Sequence, residues 1–170
     1  MSGRWEDAGV VRGFSTAAPN EVLLAFVRTE LAREPGLRVL DLGCGAARNA
    51  APIAAEGATV IGIDVASPML EAARGRVADA GLHRRVALLR ASMDRLPLRD
   101  AGVDLVVSHG VRNLARSAAG LRRSIAEAAR VARPGAGLFV FTFSRATLPP
   151  EAEPVPGETF VFTQFAGEPQ

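Results

Sequence analysis

The stretch VLDLGCGAARNA, residues 39–50, decides how the rest of this chain is read. Val39, Leu40 and Leu42 enclose one acid, Asp41, and run straight into Gly43-Cys44-Gly45. An Ala-rich segment of helical composition follows. A strand that ends in a glycine turn and opens a helix commonly holds a nucleotide-like ligand. Glycines let the backbone approach where a Cβ would collide. A helix start offers free N–H groups and a partial positive charge.

Outward from this stretch, apolar and amphipathic blocks alternate. Upstream, residues 20–33 place Val22, Leu23, Phe26, Val27 and Leu31 at helical spacing behind Asn20 as a cap, and Pro35-Gly36 ends the helix. Residues 37–42 read as a strand and 46–56 as a helix ending at Gly57. Residues 58–64 form the second strand; 67–81 form a helix with Ser67 as cap and Pro68 at its first position. Strands follow at 85–91, 103–109 and 137–143, with a helix over 117–132 closed by Arg133-Pro134-Gly135. Such alternation predicts parallel pairing with right-handed crossovers: an α/β, Rossmann-like, doubly wound and mainly parallel sheet. Ligands of such sheets sit beyond the carboxyl ends of the strands, near the switch point.

Composition bounds the function. At 170 residues the chain reads as one domain over 1–170, with 48% hydrophobic residues and no apolar run of bilayer length. The N-terminus lacks the pattern of a signal peptide, and one cysteine allows no internal disulfide, so a cytoplasmic location is expected. The pI near 9.8 comes from a net charge of only +2, because all 20 basic residues are Arg and there is no Tyr. The arginines are scattered, without a stripe or stacking aromatics, so neither a nucleic acid nor a membrane is an expected partner.

Each strand end offers something to a ligand. After the first come Asp41 and the glycines. After the second comes Asp64, about twenty residues on, placed to grip both hydroxyls of a ribose. After the third comes Ser92-Met93-Asp94, and after the fourth Ser108-His109-Gly110. A dinucleotide site wants a third glycine at the position of Arg48, which is too bulky, and an acid at Asp41 is misplaced beside a pyrophosphate. Asp41 suits a cationic ligand end, such as the ammonium of S-adenosylmethionine.

VLDLGCGAARN, VIGIDVASPML, RASMDRLPL, VDLVVSHGV and RVARPGAGLFVF resemble, in order and spacing, the motifs of class I S-adenosylmethionine-dependent methyltransferases. The likeness covers roughly residues 20–143. Arg48-Asn49 after the glycine turn looks most like the small-molecule branches. The resemblance implies that Asp41 receives the methionine ammonium and that Gly43, Cys44 and Gly45 pass beneath methionine and ribose. It implies that Asp64 binds the ribose, that Val65 and Met69 pack on the adenine, and that Met93 offers its N–H to the ring. Ser92 stands where the family often has an acid for the adenine amino group, so either Asp94 takes over that contact or the contact is weaker. Asn49 and Ser108 complete the cofactor-binding set, and no metal is expected. Ala47 replaces a further glycine, which is harmless if its φ is negative.

Other residues carry two readings. His109 follows the fourth strand, where substrate meets methyl group, and serves either as a general base or as pocket lining. Arg112 and Asn113 lie close by. Cys44 reads as a filler of the turn, and His83 as a surface residue. Residues 1–19, with Trp5, Val10, Val11 and Phe14, form either a lid or a loose terminus. Family members carry a final antiparallel hairpin that is hard to find here. ETFVFTQF (158–165) offers one further strand, and residues 144–170 read as an irregular or truncated part, or leave an edge that a homodimer would cover. The expected function is methylation of a small molecule. The alternatives are a catalytically silent cofactor-binding module or a nicotinamide-dependent oxidoreductase.

Overall fold

The computed structural model describes residues 3–115 and 117–142, together with 153 and 157; of Asn113 it describes the backbone alone. ETFVFTQF lies outside the described residues. The elements run α1 (Ala8–Thr16), α2 (Glu21–Arg33), β1 (Arg38–Leu42), α3 (Ala50–Ala55), β2 (Thr59–Asp64), α4 (Ser67–Asp79), β3 (Val86–Arg90), β4 (Val103–His109), α5 (Ala118–Val131) and β5 (Ala132–Phe141). The strands form one sheet in the order β3-β2-β1-β4-β5, and every neighbouring pair is parallel. The chain moves outward from β1 to β3, then returns to place β4 beside β1. That reversal opens a crevice at the carboxyl ends of β1 and β4.

Both faces of the sheet are covered, which is why β1 is buried without alternation from Val39 to Leu42. On one face Val39, Val60 and Leu105 pack against Leu23, Leu24 and Val27 of α2, Ile53 of α3 and Ala73 of α4. On the other, Leu40, Leu42, Ile63 and Val106 meet Ala128 and Val131 of α5 and Leu96. Truncating a wholly buried residue such as Leu40 to Ala would cost about 2–5 kcal/mol.

The helix starts follow from capping, with one correction. Asn20 Oδ1 accepts the Leu23 N–H at 2.9 Å and Ser117 Oγ accepts the Gly120 N–H at 3.0 Å, as their positions suggest. Ser67, expected as a cap, is already the first residue of α4. The cap position belongs to Ala66, whose own N–H is taken by Asp64 Oδ1 at 2.9 Å. Asp64 thus fixes the turn that leads into α4, and the helix itself starts without a side-chain cap.

Two further expectations are overturned. The helix after the glycine turn begins at Ala50, not at residue 46, because residues 45–49 are spent on turns. Within them Ala47 has φ +58°, a left-handed conformation that costs an L-residue about 1–2 kcal/mol. The condition under which Ala47 would be harmless, a negative φ, is not met, and the position has the geometry that glycine suits. Its wholly buried methyl group offsets part of that cost. The last strand begins at Ala132, five residues early, and bulges: Val103 pairs with Ala132 and Leu105 with Gly137. Pro134 has no N–H for a ladder and Gly135 stands at φ +79°, so the intervening residues loop out. Leu138, Val140 and Phe141 of β5 are exposed.

An ion network closes the amino ends of β1, β4 and β5. Buried Asp104 accepts from the Arg38 backbone N–H at 2.8 Å, from the Arg38 guanidinium at 2.9 and 3.1 Å, and from Arg133 Nε at 2.8 Å. Arg133 also pairs with Glu34. The Arg38 hydrogen bonds, aided by Arg133, hold the Asp104 carboxyl down at about 2. A depressed carboxyl stabilises the fold above its unfolded value near 4, and that stability is lost as pH falls towards 2. Asp104→Asn is therefore expected to lower stability by about 3 kcal/mol at pH 7. In urea titrations the gap between variant and wild type should narrow as pH falls below 4.

Candidate functional site

The crevice is built from three turns. The first is the glycine turn after β1, held against β2 by Cys44 N–H to Ile63 O at 3.0 Å and Gly45 N–H to Asp64 Oδ2 at 2.9 Å. Cys44 faces β2 at Gly62, where an added Cβ would stand 2.9 Å from its Sγ and 3.0 Å from Leu88. Burial pushes this thiol well up, so it fills the turn and is no nucleophile. Gly43 has φ +66° and lies under Val111: a Cβ there would meet Val111 Cγ2 at 2.5 Å. Both the dihedral and the contact demand glycine.

Asp41, in the middle of β1's last turn of pleat, is 2% exposed, and its Oδ2 has no hydrogen-bond partner. Burial first, and then the charge of Asp64, push its carboxyl up to about 7, while Arg48 pulls the other way. A buried acceptor without a donor costs about 1–3 kcal/mol. Asp64 is placed differently: its two oxygens bracket the Gly45 and Ala66 N–H groups, and each keeps lone pairs for a ligand. Val65 beside it is exposed.

Met69, expected against the adenine, is only 1% exposed. It packs with Ala46 and Ala66 beneath Trp5, Val10, Val11 and Phe14. Those residues come from α1 and the short turn before it, so the N-terminal segment lies on the glycine turn and α4. Arg76 of α4 fastens it by donating to Ser15 O and to Ala17 O at 3.3 Å.

The turn after β3 carries Ser92, Met93 and Asp94. Ser92 Oγ donates to Asp94 Oδ1 at 2.6 Å, and Asp94 lies 3.6 Å from Arg123. The Ser92 bond chiefly, with Arg123 behind it, holds the Asp94 carboxyl below its usual range. Met93 packs into the α5 side of the core. The loop is pinned by α5: Glu127 accepts the Leu96 N–H at 2.7 Å, and Arg130 donates to Leu96 O at 3.0 Å and Leu98 O at 2.8 Å.

The turn after β4 supplies Ser108 and His109. Ser108 is buried with Oγ unpartnered, on the α5 side of the sheet. His109 Nε2 lies 3.0 Å from Asn20 Nδ2, its Nδ1 3.3 Å from Arg48 Nη2, and its ring stacks on Phe141 at 4.5 Å. The Asn20 amide is oriented by its cap bond to Leu23, so it presents N–H to the imidazole. Burial and then Arg48 lower the His109 pKa, keeping the ring neutral, and a neutral imidazole has one acceptor nitrogen. That lone pair goes to Asn20, which favours pocket lining over a general base. Arg112 points back to Ser124 Oγ at 3.2 Å. Asn49 is buried, and its Oδ1 accepts the Asn20 backbone N–H at 3.0 Å, joining α2 to the glycine turn. His83 is exposed, as expected.

The structure thus brings Asp41, Gly43, Cys44, Gly45, Asp64, Val65 and His109 to one crevice, and sets Met69 and Asn49 in supporting positions. Sequence reasoning missed Val111 and the Arg48–His109 contact. An arginine directly after a glycine turn was the available signal for the second.

A family model described as a methyltransferase domain matches residues 39–135, more than half of the chain. The chain belongs to the methyltransferase-domain family. A demethylmenaquinone methyltransferase from Parafrankia sp. (strain EAN1pec) is 37% identical over 153 residues, covering 81% of this chain and 55% of that protein. The chain therefore spans about half the length of that relative. Among solved structures, a SAM-dependent methyltransferase from Methanosarcina mazei is 26% identical with TM-score 0.58, covering 62% of this chain and 51% of that one. The [4+2]-cyclase SpnF is also 26% identical with TM-score 0.58, covering 66% of this chain and 41% of its own. No helix among the described residues of this family member is long and apolar enough to cross a membrane.

Asp41 gives a direct check of the ligand-free site. An acid whose folded pKa is raised keeps its proton after the unfolded chain has lost it, so stability is greatest below about pH 4 and falls as pH rises towards 7. Asp41→Asn should remove that slope. We expect the variant to melt at a higher temperature than wild type at pH 8, by about 1–3 kcal/mol of stability, and the difference to shrink at pH 5.

Proposed function

We propose that this chain binds S-adenosylmethionine and transfers its methyl group to a small molecule. The observation that carries the reading is the buried, unpartnered Asp41 carboxylate beside the glycine turn. Such an oxygen suits a cation, and an ammonium is the cation of a methionine-derived ligand. Asp64, with lone pairs left on both oxygens, suits ribose hydroxyls; exposed Val65 suits an adenine face; Asp94 suits its amino group. Nicotinamide cofactors fit worse, since Asp41 would face a pyrophosphate.

S-adenosylmethionine supplies a methyl group already activated on a sulfonium. The work left to the chain is positioning and exclusion of water. The glycine turn and Asp64 fix the ligand at the sheet, and residues 1–19 act as the lid, a role supported by the packing of Phe14 and Trp5 over Ala46 and Met69. His109 lines the acceptor side. The name of the Parafrankia relative supports a quinone-type acceptor. The reading also takes the chain as one domain, cytoplasmic and homodimeric, without nucleic acid or membrane as partner; the exposed side chains of β5 support the dimer.

A second reading, a cofactor-binding chain that performs no methyl transfer, draws on the SpnF likeness and on the engaged lone pair of His109. One fold hosts several chemistries.

Calorimetric titration with S-adenosylhomocysteine, with NADH as control, tests the proposal. We expect micromolar binding of the former only, weakened at least about tenfold by Asp64→Ala. Affinity should rise with pH up to about 7 and then level off, since a cation binds the ionised Asp41, and Asp41→Asn should flatten that profile. Binding of NADH instead would sink the reading.

A further inference from the structure

Resting on the S-adenosylmethionine reading, we propose that Arg48 receives the carboxylate of the methionine part, so that Asp41 and Arg48 together bind the amino-acid zwitterion. Arg48 leaves the glycine turn on the face of the sheet that carries Asp41. Its head lies against His109, two residues beyond Val107, the β4 residue that pairs with Asp41, so guanidinium and carboxylate share one face at the ends of neighbouring strands.

The arginine is half-buried and under-used. Its two polar contacts are long: Nη1 to Ala18 O at 3.4 Å and Nη2 to His109 Nδ1 at 3.3 Å. The second is a poor hydrogen bond. Asn20 donates to Nε2 at 3.0 Å, so the neutral ring carries its proton on Nδ1, facing Arg48. No carboxylate among the described residues lies within ion-pair distance of Arg48, whereas Arg28, Arg38, Arg123, Arg130 and Arg133 all have one.

One crevice therefore holds a buried carboxylate whose Oδ2 has no partner and, on the same face of the sheet, a half-buried guanidinium without a carboxylate among the described residues. A ligand that brings both charges on one carbon satisfies both. The planar fork of Arg48 presents parallel N–H donors of the kind that hold a carboxylate bidentately. His109, stacked on Phe141 and tied to Asn20, then acts as a positioning residue that backs the guanidinium.

The test compares two ligands by calorimetry: S-adenosylhomocysteine and its decarboxylated amine, which keeps the ammonium and loses the carboxylate. Wild type should prefer the first by about tenfold or more. Arg48→Gln should reduce S-adenosylhomocysteine to the level of the amine while leaving the amine unchanged, and Arg48→Lys should recover part of the preference. His109→Phe, which preserves a ring against Phe141, should lower the preference a few-fold. Equal weakening of both ligands by Arg48→Gln would reduce Arg48 to a clamp on Ala18 and overturn the proposal, as would a wild type that binds both alike. Failure of wild type to bind either ligand would overturn the cofactor reading itself and this inference with it. Circular dichroism of each variant checks folding; if Arg48→Gln does not fold, Arg48→Lys and His109→Phe carry the comparison.

Discussion

The carboxylate of Asp64 is the joint on which this crevice depends. One oxygen takes the N–H of Gly45, the other the N–H of Ala66, so one side chain spans the turns after β1 and β2. Cys44 donates its N–H to Ile63 and seats its sulfur against Gly62, which completes the seam. A neutral amide here would accept through one atom only and would leave one of those two backbone donors unanswered. The position of the glycine turn, the start of α4 and the level of the binding shelf all follow from this one group. Because each carboxylate oxygen has a second lone pair, structural and ligand-binding duties do not exclude each other.

Much of the fold was legible because it is written in short-range patterns. Asn20 caps the helix it was expected to cap, and Val39, Leu40 and Leu42 lie in a doubly covered sheet as their short apolar strand implied. The misses come from contacts distant in sequence. Ala47 takes a left-handed backbone because the turn must lead into α3 past β2. Met69 is buried by a segment more than fifty residues upstream, and β5 starts early because Arg133 is drawn to Asp104. No local propensity contains these facts. Arg48 was read for its bulk and its place in the motif, since its neighbours His109 and Ala18 become visible only in three dimensions.

The division of labour in the crevice explains an asymmetry in the sequence. The glycine turn and β2 are recognisable because backbone geometry constrains them: Gly43 cannot bear a side chain under Val111, nor Gly62 one against Cys44. The far side of the crevice carries His109 stacked on Phe141, a pair that no backbone constraint of the sheet dictates. Proteins similar to this chain range from a demethylmenaquinone methyltransferase to a [4+2]-cyclase.

An unpaired carboxylate in the core also ties the lifetime of the chain to its ligand. A folded state that is filled and neutralised is stabilised over the unfolded state in proportion to the logarithm of ligand supply. Proteases act on the unfolded fraction, so a small change in stability alters abundance several-fold. On the proposed S-adenosylmethionine reading, the buried oxygen of Asp41 makes the ligand-free protein the more perishable form, and steady-state levels of the chain would follow ligand supply.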